Sequence, residues 1–136
     1  MTTKEFLQQG FVIQKMIRAK EMRIQQLRDM QTKLGGGFTE VHVQSSPRPD
    51  RFAELTAKLL DLITECEDDI SRLLDVQREI GAIINTVESE NCRLILLERY
   101  INHKSWEQIA ADNNYSLRSV YSIHGHALLE AEKRLH

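Results

Sequence analysis

An all-α protein is what this chain of 136 residues predicts, and three features predict it. Two long segments place apolar residues three and four apart, the period of a helix with one buried face. Proline, which breaks helices, occurs only twice, at Pro47 and Pro49. Near the C-terminus, two short helical patterns each begin at a serine, Ser105 and Ser116. The expected architecture is a long antiparallel helical hairpin, coiled-coil-like, over residues 1–88. A small helix-turn-helix domain follows over 89–136.

The first helix is expected from about Thr3 to Leu34. Phe6, Ile13, Met16, Ile17, Ile24, Leu27, Met30 and Leu34 form its seam, which Lys20 and Arg23 interrupt. Gly10 costs about 1 kcal/mol against Ala and weakens the first turns. The Gly35-Gly36-Gly37 run should end the helix. Residues 35–49 then read as a connection. Val41 and Val43 alternate with polar neighbours, as in a short extended stretch, while Ser45 to Pro49 favour loop or polyproline geometry. A plain loop and a partner-binding loop both remain open.

Asp50 is the expected cap of a second long helix reaching about Val87. Phe52, Leu55, Leu59, Leu62, Cys66, Leu73, Val76, Ile80, Ile83 and Val87 follow a three-four repeat, broken at Asp69 with Ile70 next to it. At 1.5 Å per residue the two helices span roughly 45 and 55 Å. Residues 1–34 carry seven Lys/Arg against three Asp/Glu, and residues 50–90 four against eleven, so opposite charges favour their pairing. Leu60, Ile63, Leu74 and Ile84, with Leu7, Phe11 and Val12, are apolar residues beyond one seam. Covering them calls for a homodimer built as a four-helix bundle, or for the C-terminal domain folded back onto them.

A further helix is expected over Glu90–Ile101, with Ser89 as cap and Leu94, Ile95, Leu97 and Tyr100 or Ile101 facing inward. Ser105, with Gln108 three residues on, suits a capping box. Ile109 and Ala110 give the next helix a buried side, and Trp106 reads as its anchor. Asn113-Asn114-Tyr115 breaks that helix, since Asn tolerates left-handed geometry. Ser116 caps a final helix in which Val120, Ile123 and Ala127 repeat on one face. Two capped helices around a short turn are a helix-turn-helix signal.

The stretch LLERYINHKSWEQIAADNNYSLRSVYSIHGHALLEAEKRL, about 40 of 136 residues, resembles the fourth, promoter-reading region of bacterial sigma factors. The VQSSPRPDRFAELTAKLLDL segment is similar to phage and prophage transcription regulators of the ArpU type. The resemblance has no counterpart of the sigma region that melts promoter DNA. It implies a sequence-specific, promoter-proximal DNA-binding regulator, reading double-stranded DNA with the helix 117–130 and acting on RNA polymerase.

The resemblance puts base or phosphate contacts at Leu117, Arg118, Tyr121, Ser122 and His126. The planar fork of Arg118 matches the O6/N7 edge of guanine. Leu117 suits a thymine methyl; Ser119, Tyr121 and Ser122 suit phosphate or mixed contacts. Lys104, with the helix start at Ser105, suits a phosphate, and Ser116 completes the candidate set. Family reading helices carry more Arg and Glu at these positions, so modest affinity is expected per head. The alternative is a protein-interaction module that binds RNA polymerase or a sigma factor with little direct DNA contact.

Composition narrows the other classes. No stretch of about 18 uncharged apolar residues predicts a membrane span, and MTTKEFLQQG lacks the layout of a secretion signal. Two cysteines, Cys66 and Cys92, without a Cys-x-x-Cys, read as core residues in a reducing cytoplasm. His124 and His126, two apart on a helix, do not share a face and make a poor metal pair. The acidic run Glu65, Glu67, Asp68, Asp69 reads as a solvated face or a docking surface for polymerase. No nucleophile–base set and no phosphate loop occur, so neither an enzyme nor a cofactor is expected.

Overall fold

The computed structural model describes residues 1–36 and 49–135. They are all-helical, in the order α1 Thr3–Leu7, α2 Gln9–Gly36, α3 Pro49–Ile84, α4 Glu90–Tyr100, α5 Trp106–Asp112 and α6 Leu117–Leu135. Most of the expected connection, including Val41 and Val43, lies outside the described residues. No helix among the described residues is long and apolar enough to cross a membrane.

The single helix expected at the start is two. Thr2 Oγ1 accepts from the Glu5 N–H at 3.1 Å while the Glu5 carboxylate accepts from the Thr2 N–H at 3.1 Å, a capping box that opens α1. The Gln9 side chain donates to the Phe6 carbonyl at 2.8 Å, serving an acceptor at the end of α1 as α2 begins. Gly10 is buried: a Cβ there would lie 3.2 Å from His103 Nε2 and 3.4 Å from Leu73 Cδ1. The residue that weakens the helix thus admits a close neighbour. Pro49, pre-set for a first helical position, opens α3 and places Asp50 inside the first turn instead of at the cap.

By packing, the chain divides into two compact units, Gln14–Ser71 and Met1–Ile13 with Arg72–His136. In the first, α2 and α3 run side by side in opposite senses. Lys20 meets Asp69 and Gln31 meets Thr56, each at 2.6 Å. Leu27, Leu55 and Leu59 form the core with Ile24, Leu62 and Ile63 around them. Two of the three polar breaks in the expected seams, Lys20 and Asp69, are each other's partners, while Arg23 is exposed. Asp69 is buried, and its hydrogen bond raises the Lys20 ammonium above its ordinary 10.5. Ile70 does not compensate for Asp69, because it points to solvent. Met16, Met30, Leu34 and Phe52, expected in the seams, are each at least 40% exposed. They lie beside the contact line rather than on it.

In the second unit, Leu7, Ile80, Ile84 and Val87 pack with Cys92, Leu96 and Tyr100 of α4 and with Ala127 and Ala131 of α6. Residues 1–13 and 72–88, read from sequence as rod, here share a core with the C-terminal helices. Ile84 and Leu7, expected as spare apolar surface, are fully buried. Ser89 caps α4, its Oγ accepting from the Cys92 N–H at 3.4 Å. Leu94 points outward and Leu96 takes the buried place expected for it.

Because an ion in an apolar seam is tolerated only with its partner, Asp69→Leu should lower the urea midpoint of unfolding. Lys20→Met combined with Asp69→Leu should recover or exceed the wild-type midpoint. A single variant as stable as wild type would show that the pair contributes nothing.

Candidate nucleic-acid interface

The site is built on α5, a turn and α6. Ser105 Oγ accepts from the Gln108 N–H at 3.1 Å and starts α5. The reciprocal half of the expected capping box does not form, because the Gln108 side chain donates to Asp112 at 2.6 Å. At the far end the Tyr115 N–H bonds the Ala110 carbonyl at 3.0 Å, and the Asn114 N–H bonds that of Ala111 at 3.4 Å. Asn114 sits between them at φ 57°. This is the Schellman arrangement, with Asn at the left-handed position and Tyr115 packed back on Ile109 and Ala110. Ser116 Oγ then accepts from the Ser119 N–H at 3.1 Å and opens α6.

Helical period sorts α6 into two faces. Val120, His124, Ala127 and Ala131 are buried. Arg118, Tyr121, Ser122, Gly125 and Leu129 are exposed on the other side. Val120 joins Ile95, Ile109 and Ala110 in a core that Trp106, Tyr115 and Ile123 border. The Trp106 ring stands edge-on to His124 at 4.5 Å and to Tyr121 at 5.5 Å. The Arg99 guanidinium lies 4.4 Å from the Trp106 ring centre and 5.0 Å from that of Phe11. Trp106 therefore anchors α5, and Tyr121 leans on it while staying 48% exposed.

Of the expected contact residues, Leu117, Arg118, Tyr121, Ser122 and His126 are exposed along α6. Ser105 and Ser116 are exposed, but their hydroxyls serve as caps. Ser119 is half-buried, its Oγ 2.9 Å from that of Ser116. Lys104 is engaged within the protein, its Nζ 2.6 Å from Glu98 and 2.8 Å from Asp112. Asp112 first and Glu98 second raise its pKa, and Lys104 in turn lowers that of Asp112. Sequence gave no sign of this triad, since Glu98 and Lys104 are joined only by the turn between α4 and α5.

Three arginines of this region are also occupied. Arg93 donates to the Val87 carbonyl at 2.9 Å, Arg99 to that of Lys104 at 2.9 Å, and Arg134 approaches Glu88 at 3.4 Å. Arg118 makes no hydrogen bond or ion pair among the described residues and stands in the first turn of α6. It is the side chain best placed to meet an external acceptor.

Beneath this surface Tyr100 Oη lies 2.7 Å from His124 Nε2, with both residues buried. Burial, then Lys4 and Arg99, lower the His124 pKa to about 4; burial raises that of Tyr100 to about 12. Both rings are neutral at physiological pH.

No family model, curated protein or solved structure matches the chain.

Two predictions follow from the geometry. Asn114→Ala should destabilise the protein by about 1 kcal/mol while Asn114→Gly should not, because Ala keeps the Cβ that positive φ disfavours but lacks the short polar side chain that lets Asn adopt it, and Gly has no Cβ; urea unfolding of both variants measures it. Unfolded His124 binds a proton below about 6.5 but the folded residue does so only below about 4. Stability from this site is thus present above 6.5 and lost as pH falls through 4. His124→Gln should flatten that fall relative to wild type in denaturation curves compared at pH 7.5 and pH 4.5.

Proposed function

We propose that the protein is a sequence-specific, DNA-binding transcription regulator of phage or prophage type that acts on RNA polymerase. In this reading α5, the Asn113–Ser116 turn and α6 are a helix-turn-helix, and the helix 117–130 reads the major groove. The observation that carries it is Arg118. An exposed guanidinium without an internal partner stands in the first turn of α6, behind a turn held by two backbone hydrogen bonds and a left-handed Asn.

Tyr121 and Ser122 extend the same face, and Gly125 leaves room beside them, nothing lying within 4 Å of a Cβ placed there. The resemblance of this stretch to the fourth sigma region supports the same assignment. Self-association through residues 1–88, with a homodimer as its first step, would present two heads to two half-sites and offset the modest grip of each. The reading involves no catalytic step and no cofactor, and it places the protein in the cytoplasm.

One observation favours a second reading, in which the head binds RNA polymerase or a sigma factor with little DNA contact. Lys104 is neutralised by two carboxylates, and Arg93, Arg99 and Arg134 are engaged internally. Phosphate contacts, the main source of DNA affinity, then have few donors.

Selection of bound duplexes from a random DNA pool, at ~150 mM salt, separates the two. Wild type should enrich a motif, and Arg118→Ala should lose roughly 1–3 kcal/mol of specific binding with relaxed preference at one position. Folded wild type that enriches nothing would exclude DNA reading. Polymerase binding that Arg118→Ala leaves unchanged would then identify the second.

A further inference from the structure

Within Gln14–Ser71, two stripes flank the buried core and stay largely exposed, Ile63 alone among their residues packing against it. On α2, Met16, Arg23 and Met30 recur every seven residues beside the line of Ile17, Ile24 and Leu27. On α3, Leu60, Ile63, Glu67 and Ile70 follow a three-four-three spacing beside Leu59 and Cys66. Leu60 is 59% exposed and Met30 44%. Each of these stripes holds one charge, Arg23 or Glu67. Both charges are exposed, and neither has an ion-pair partner among the described residues; Arg23 donates only to Gln26, at 3.1 Å.

Register relates the stripes. The contacts of Lys20 with Asp69 and of Gln31 with Thr56 set the levels of the two helices. To within a turn, they put Ala19 at the level of Ile70, Arg23 at that of Glu67 and Met30 at that of Leu60. Helical phase places the stripes on opposite sides of the pair. Met16, Arg23 and Met30 share a side with Lys58 and Glu65, whereas Ile63 and Ile70 share the other with Glu21 and Arg28.

We propose that further copies of this chain cover these stripes head to tail, the α2 stripe of one copy lying on the α3 stripe of the next. Charge selects this contact. Residues 14–36 carry six Lys/Arg against two Asp/Glu, and residues 49–71 two against seven. Stacking α3 on α3 sets Glu67 near its own copy on an acidic helix. Stacking α2 on α2 does the same to Arg23 on a basic one. The mixed contact instead joins Arg23 to Glu67, Ala19 to Ile70 and Met30 to Leu60. Because the stripes face opposite ways, two copies leave one of each uncovered, and addition continues until a ring closes. A pair is the first step of this association, which is independent of whether the head reads DNA.

Sedimentation equilibrium of the full chain across concentration tests it. The mass should rise from one copy past two. Arg23→Glu and Glu67→Arg, each checked for unchanged helix content by circular dichroism, should each weaken association at least tenfold. The double variant Arg23→Glu/Glu67→Arg should regain it, as should a mixture of the two single variants. A wild type that stays monomeric or stops at two copies, or charge-reversed variants that associate like wild type, would overturn the proposal.

Discussion

Burial of α4 on two sides is the constraint on which the unit containing the C-terminal helices depends. Ile95 turns toward α5 and the start of α6, where it meets Ile109 and Val120. Cys92, Leu96 and Tyr100 turn the other way, toward Leu7, Ile80, Ile84 and the far end of α6. An eleven-residue helix is too short to be stable alone. Fully burying side chains of this size contributes about 1.5–3 kcal/mol each, so the tertiary contacts on both flanks hold it. Since α6 rests on both cores, the orientation of its outer face, Arg118 included, follows from the packing of α4.

Between the two cores lies a polar layer. Tyr100 and His124 bond to one another, Trp106 stands edge-on to the His124 ring, and the Arg99 guanidinium lies over Trp106 and Phe11. Burial holds both the imidazole and the phenol neutral. The packing that buries these rings is thereby the source of the acid sensitivity expected at His124. The same economy governs its surface. Lys104 ties Glu98 of α4 to Asp112 of α5 across the intervening turn, which steadies the approach to the site and removes a cation from it.

In Gln14–Ser71 the polar element set deepest in the seam is the pair of half-buried Lys20 and buried Asp69. Lys20 and Asp69 add little by being charged, since each loses hydration, but only one alignment of α2 and α3 lets them meet. Leu-rich seams alone tolerate sliding by a heptad. The ion pair specifies register, and register decides which exposed residues share a level.

By itself the sequence determined what depends on neighbours within a turn or two. The helical class follows from three-four periodicity and scarce proline; the starts of α4, α5 and α6 follow from Ser89, Ser105 and Ser116; the turn follows from Asn114, which accepts positive φ. The exposed positions of α6, with Arg118, were legible for the same reason, because helical period assigns faces once one buried residue is known. Only the tertiary structure decided the rest. That Lys20 and Asp69 answer one another, that Lys104 is held by Glu98 and Asp112, and that Leu7 and Ile84 lie under α4 and α6 all depend on residues far apart or joined through a turn. Their meeting is fixed by how apolar faces dock, and periodicity along one chain carries no record of which face docks on which.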